Sequence, residues 1–246
     1  MSIRAFLLCT CCLIGLAAAD PAADGPYRVI SSGYDFGATA WSDPVSRERC
    51  GFSARVDYPA ELGSGPFPLL LVLHGRHQGV YKPGESTAIN AWPPSPGWLP
   101  IPNAAGYDWI TGPLASHGCI VVSVEANAVT AFDTFYGDYG DGIRQRLVAD
   151  HLRLWQRLAS EDAPPFGDRF VGRVDLDRVA LLGHSRGGAV MARLARQLAA
   201  EGEVGLAALG LIAATGRPLT MVTSALPPLL WVLSLGHIVH VLRRYQ

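Results

Sequence analysis

The pentapeptide Gly183-His184-Ser185-Arg186-Gly187 constrains this chain more than any other stretch, because of what stands on either side of it. Val179 to Leu182 is a short, continuous apolar run. Gly187 to Ala200 is rich in Ala and Leu, with Arg193 and Arg196 spaced to face outward and Gly202 placed to stop a helix. A strand that turns at a serine directly into a helix needs a sharp, strained corner, and the residues two positions before and after it must be small. Gly183 and Gly187 meet that need. The corner lifts the serine hydroxyl above the end of a sheet, and the helix N-terminus behind it offers free N–H groups to negative charge.

The same alternation of apolar run and helical pattern recurs along the chain. Leu69 to Leu73 and Ile120 to Val124 are apolar throughout, as strands covered on both faces of a parallel sheet would be, and Ala207 to Ala213 and Leu229 to Leu235 are further candidates. Cys50 to Tyr58 instead alternates, with Phe52, Ala54, Val56 and Tyr58 on one face, which predicts an outer strand with one covered side. Ile143, Leu147, Leu154, Trp155 and Leu158 recur at helical spacing. Strands alternating with helices predict an α/β fold with a mostly parallel central sheet and helices on both faces. Two long connections, Arg76 to Gly106 with its prolines and tryptophans and Ala126 to Gly142 with its aromatics and Asp133, Asp138 and Asp141, leave the carboxyl ends of strands. They are expected to wall a substrate cleft.

A second motif, Leu71-Val72-Leu73-His74-Gly75-Arg76, ends a buried strand in His-Gly. Here the backbone N–H of Arg76 is expected to pair with that of Arg186 to hold an oxyanion, which makes His74 a loop-shaping residue; the side chain of His184 is expected to point away from Ser185. With Leu69 to Arg76, Ile120 to Val124 and Arg178 to Gly188 in this order, the chain resembles the α/β-hydrolase superfamily. Within it, the chain is similar to exported bacterial esterases akin to dienelactone hydrolases, platelet-activating-factor acetylhydrolases and polyester hydrolases, over roughly Cys50 to Ala213. The resemblance implies a serine hydrolase of carboxylic esters, small or polymeric, with Ser185 as nucleophile and no cofactor. It also implies that the strand from Cys50 runs antiparallel to the strand after Cys119, too far apart at their starts for a disulfide.

The same resemblance requires an acid and then a histidine after the nucleophile. Beyond Ser185 the sequence holds no Asp and only Glu201 and Glu203, both at the end of the helix that follows the serine. His237 is the candidate base, with His240 beside it, and Glu125 is a candidate substitute acid. From Thr215 the sequence changes character, and the expectation is a truncated or frame-shifted tail (215–246) on a core (50–214) that lacks its final strand. A catalytically impaired remnant, or a ligand-binding domain, is the rival reading. A metal site at Asp133, Asp138 and Asp141 has no ligand spacing to support it, so no metal is expected.

Charge adds an exclusion: 20 Lys and Arg balance 21 Asp and Glu, which leaves nothing to attract a phosphate backbone, so no nucleic-acid partner is expected. Residues 1–19 read as an export signal, with Arg4, an apolar run to Leu16 and Ala17-Ala18-Ala19 as cleavage site, which predicts a secreted or periplasmic protein. Cys9, Cys11 and Cys12 fall within that signal without a lipobox. Residues 20–49 read as a tether and first edge segment, with order beginning near Tyr27. Ala225 to Leu242 is apolar, but Pro227, Pro228, Gly236 and two histidines interrupt it, so no membrane span is expected after signal removal.

Overall fold

The computed structural model describes residues 24–202 and 204–212. The expected signal segment, the strand from Leu229, His237, His240 and the tail from Thr215 lie outside the described residues. In chain order the strands are β1 (Val29–Asp35), β2 (Trp41–Ser42), β3 (Arg49–Cys50), β4 (Ser53–Pro59), β5 (Phe67–Leu73), β6 (Val80–Tyr81), β7 (Ala88–Ile89), β8 (Leu99–Pro100), β9 (Ile120–Val124), β10 (Val174–His184) and β11 (Leu206–Ile212). The α-helices are α1 (Asp108–Ser116), α2 (Asn127–Thr130), α3 (Asp141–Ser160) and α4 (Arg186–Glu201).

Six strands form the central sheet in the order β1-β4-β9-β5-β10-β11. From β9 to β11 the pairs are parallel, and β1 and β4 join antiparallel at one side. The architecture is the expected mixed α/β one, with a mostly parallel central sheet. One expectation is corrected: β4 is not an outer strand, because β1 pairs along its full length from Val29↔Pro59 to Asp35↔Ser53 and takes the edge. The alternation in β4 that suggested an open face reflects Arg55 and Asp57, whose charges are met by partners rather than by water alone: Asp57 is buried and accepts from Ser31 at 2.5 Å and Thr111 at 2.7 Å.

The continuous apolar runs behave as their two-sided pattern requires. Leu69, Leu71 and Leu73 with Ile120, Val122 and Val124 face one cluster, which Trp155, Leu147 and Leu194 of α3 and α4 fill. Leu70, Val72, Val121 and Leu182 face the other, which Ala115 of α1 and Tyr107 cover. Burying each such side chain contributes roughly 1.5–3 kcal/mol. Helices therefore cover both faces.

Helix ends follow from local chemistry. Asp138 accepts the N–H groups of Gly140 (3.1 Å) and Gly142 (2.9 Å) and so satisfies orphan donors at the start of α3. Gly202, at φ 67°, ends α4 in the left-handed conformation with its N–H on the Leu198 carbonyl. Cys50 and Cys119 are free thiols, one at each end of the antiparallel β4–β9 pair. No described helix is long and apolar enough to cross a membrane.

Candidate active site

Ser185 occupies the junction of β10 and α4 at φ 52° and ψ −120°, a conformation that L residues rarely adopt. The neighbours explain why only glycine fits around it. A Cβ on Gly183 would stand 2.4 Å from the Gly187 carbonyl oxygen, and one on Gly187 would stand 2.4 Å from that of Leu73. The corner therefore closes against itself and against the end of β5. Ser185 itself is exposed.

The segment after β5 completes the surroundings of the serine. Gly75 lies directly against it: a Cβ there would be 3.1 Å from Ser185 Cβ and 3.0 Å from His184 Nδ1. Of the residues named from sequence, the fold thus brings Gly75–Arg76, Gly183, His184, Ser185, Arg186 and Gly187 to one place. The His184 ring engages Tyr107, whose hydroxyl is 3.0 Å from Nδ1. Burial pushes the Tyr107 phenol up to about 12. Burial and the nearby His74 lower the pKa of His184. His77 stacks on it at 6.2 Å between ring centroids, with its pKa lowered by burial, His74 and His184.

His74 is buried and fully engaged. Its Nδ1 is 2.6 Å from the Gly75 carbonyl oxygen, and its Nε2 is 2.9 Å from both the Ala126 N–H and Glu125 Oε1. It has a carboxylate neighbour in Glu125, and both of its nitrogens are engaged away from Ser185. Glu125 also accepts the Ala104 N–H at 3.1 Å, so its carboxylate is turned to β9's own surroundings and not to the serine.

The three acidic loop residues belong to other work than metal binding. Asp133 is buried and accepts from Arg76 (2.8 and 3.0 Å) and Arg144 (3.0 Å). Burial opposes its ionisation, but the two guanidiniums outweigh it and lower its pKa. Asp138 caps α3, and Asp141 accepts from Arg186 at 3.2 Å. Arg186 also lies over the Tyr139 ring, 5.1 Å from its centroid.

The long Arg76–Gly106 connection is not structureless: β6, β7 and β8 form a small antiparallel sheet within it. Its far part folds over β1 and β4 and walls a cavity of about 580 Å³ whose lining includes Trp92, Pro94, Pro102, Tyr34, Arg55 and Glu125. Ser185 is not in its lining: β4 and β1 stand three and four places from β10 in the sheet. Sequence reasoning missed Tyr107, His77 and the role of Asp133. A single tyrosine or histidine in a loop carries no periodicity, so only proximity in the fold marks it.

No protein-family model and no curated protein matches this chain. Among solved structures it is similar to a bacterial heroin esterase, at 17% identity and a TM-score of 0.36, over 74% of this chain and 44% of that one. The chain spans less than half the length of that structure.

Proposed function

We propose that this chain is a serine-nucleophile hydrolase of carboxylic esters. The observation that carries the reading is the backbone of Ser185: a non-glycine residue held at φ 52° between a strand and a 16-residue helix, with no room for a side chain at Gly183 or Gly187. Strain of this kind persists only where the surroundings enforce it, and it presents the hydroxyl at the helix N-terminus. In this reading Ser185 Oγ attacks the acyl carbon, its proton passes to a base, and the N–H groups of Arg76 and Arg186 hold the oxyanion that forms. Collapse of the tetrahedral intermediate expels the alcohol and leaves an acyl-serine, which water then hydrolyses. His237 is the candidate base in this reading, and export to the periplasm or medium is part of the proposal.

The rival reading is a binding domain that keeps the corner without the chemistry. Hydrolysis of a short p-nitrophenyl ester by the purified chain, beside Ser185→Ala and with fluorophosphonate labelling, separates the two. Turnover and labelling that vanish in Ser185→Ala support the hydrolase. Equal rates in both proteins, without labelling, leave the binding domain.

A further inference from the structure

We infer that Tyr139 is a specificity-determining residue: its exposed ring, held against the side chain that follows Ser185, receives an aromatic ring carried by the ester. The inference rests on the hydrolase reading above and names the substrate class of the same site.

Backbone strain singles the residue out. Among the described residues only Arg47, Tyr139 and Ser185 take a positive φ without being glycine, and Tyr139 and Ser185 share the value of 52°. A bulky residue in the left-handed region is there against its own preference and persists only where its surroundings enforce it. Around Tyr139 they do. Its N–H donates to the Tyr136 carbonyl at 2.9 Å, its carbonyl accepts from Arg144 Nη1 at 2.7 Å, and the next N–H, that of Gly140, goes to Asp138 Oδ1 at 3.1 Å. Arg144 is buried and held in turn by Asp133. Glycine would take this conformation without strain, as Gly140 does beside it at φ 72°. What a glycine lacks is the ring.

That ring lies where the chemistry is. Arg186 follows Ser185 in the chain, and its guanidinium carbon stands 5.1 Å from the Tyr139 ring centroid while Nη1 donates to Asp141 at 3.2 Å. One side chain thus joins the two residues of equal φ. The cation takes one face of the ring, yet Tyr139 remains 52% exposed. The same loop sorts its aromatics. Phe132 packs on Tyr136 at 6.2 Å between centroids, and the Tyr136 hydroxyl donates to Glu48 at 2.9 Å. Phe135 and Tyr139 are left to the surface, Phe135 at 81% exposure. An exposed ring on a tied backbone loses little entropy on binding, and an aromatic partner gains from offset or edge contact with it beyond the area it buries.

Two pairs of esters test the assignment and tell the sides of the ester apart: ethyl hydrocinnamate against ethyl butanoate for the acyl side, and benzyl acetate against ethyl acetate for the alcohol side. The wild type should prefer the ring-bearing member of at least one pair by about tenfold or more in kcat/KM. Because glycine adopts this backbone freely, Tyr139→Gly removes the ring without forcing the loop. It should lower that ratio by about tenfold, mainly through KM, and Tyr139→Phe should restore it to within about threefold of wild type. A wild type without the preference, or a ratio unchanged in Tyr139→Gly, overturns the inference. So does an equal loss on both members of a pair, which would make the ring only a support for Arg186. Lack of Ser185-dependent turnover of all four esters overturns the hydrolase reading. The ring site is then decided by benzylacetone, a ketone with the shape of both ring-bearing esters, binding to Ser185→Ala. A Kd raised about tenfold by adding Tyr139→Gly supports the site, and an equal Kd overturns it.

Discussion

The backbone of Gly75 stands against the side chain of Ser185, closely enough that a methyl group added at Gly75 would lie 3.1 Å from Ser185 Cβ. The two residues are 110 positions apart, yet together they define the site. Gly75→Ala must push either the serine or the loop by a few tenths of an ångström. The expected outcome is a loss of ester turnover on the order of tenfold or more with a small change in Tm. An unchanged kcat with a large drop in Tm would place the role of Gly75 in folding alone.

The corner glycines should behave differently. At Gly183 and Gly187 the added Cβ meets backbone at 2.4 Å, which cannot move aside cheaply. Either alanine substitution should destabilise the protein by about 1–3 kcal/mol or more in urea unfolding. Gly63→Ala, with nothing within 4 Å, is the control and should stay within about 0.5 kcal/mol of wild type.

Asp133 joins the loop that carries Arg76 to Arg144 of α3, which is buried at 1% exposure. Asp133→Ala leaves that guanidinium buried without its carboxylate, and breaking a buried pair in this way costs about 3–5 kcal/mol. By contrast, removing Glu161 from its exposed pair with Arg157 should cost less than about 1 kcal/mol. Denaturant midpoints of the two variants check the contrast; similar losses would remove Asp133 as the anchor of the loop.

Acid should destabilise the protein before its carboxylates titrate. His151 is fully buried, with Nδ1 2.8 Å from the Tyr34 hydroxyl and its ring stacked on Phe52 at 4.0 Å, and burial pushes its pKa from 6.5 down to about 3. Its folded pKa lies below its unfolded one, so the unfolded chain binds the proton first. Stability is complete above pH 6.5 and falls as pH drops toward 3, by up to about 1.4 kcal/mol per pH unit. Asp43 acts in a lower window: burial opposes its ionisation, but Arg146 and Ser46 outweigh it and hold it at about 2 against an ordinary 3.8. Its contribution is lost only below 3.8. Unfolding at pH 7.5, 6 and 5 should therefore show a decline that flattens in His151→Gln; parallel slopes in both proteins would assign the decline elsewhere.

Cys50 should be inert. Burial raises its thiol to about 12, and it has no cysteine partner. Thiol labelling of the native protein should be slow at Cys50 and become fast on unfolding, and a reducing agent should leave Tm unchanged. A Tm that falls on reduction would contradict the free-thiol state.

Local patterns by themselves determined the strand–serine–helix corner, the strands covered on both faces and the helices that cover them. Gly-x-Ser-x-Gly between an apolar run and an Ala-rich stretch leaves few backbone solutions, and Leu69 to Leu73 or Ile120 to Val124 has no polar face to give to solvent. The identity of the edge strand was decided by tertiary structure, because Val29 to Asp35 mixes Ser and Gly into its run and takes its place only by pairing with β4. So were the contacts His74–Glu125, Tyr107–His184 and Arg76–Asp133–Arg144, which join residues 51, 77, 57 and 11 positions apart. Periodicity records which way a side chain faces within its own element. Which distant group it then meets depends on loop closure and on the order of strands in the sheet, and no local spacing encodes that.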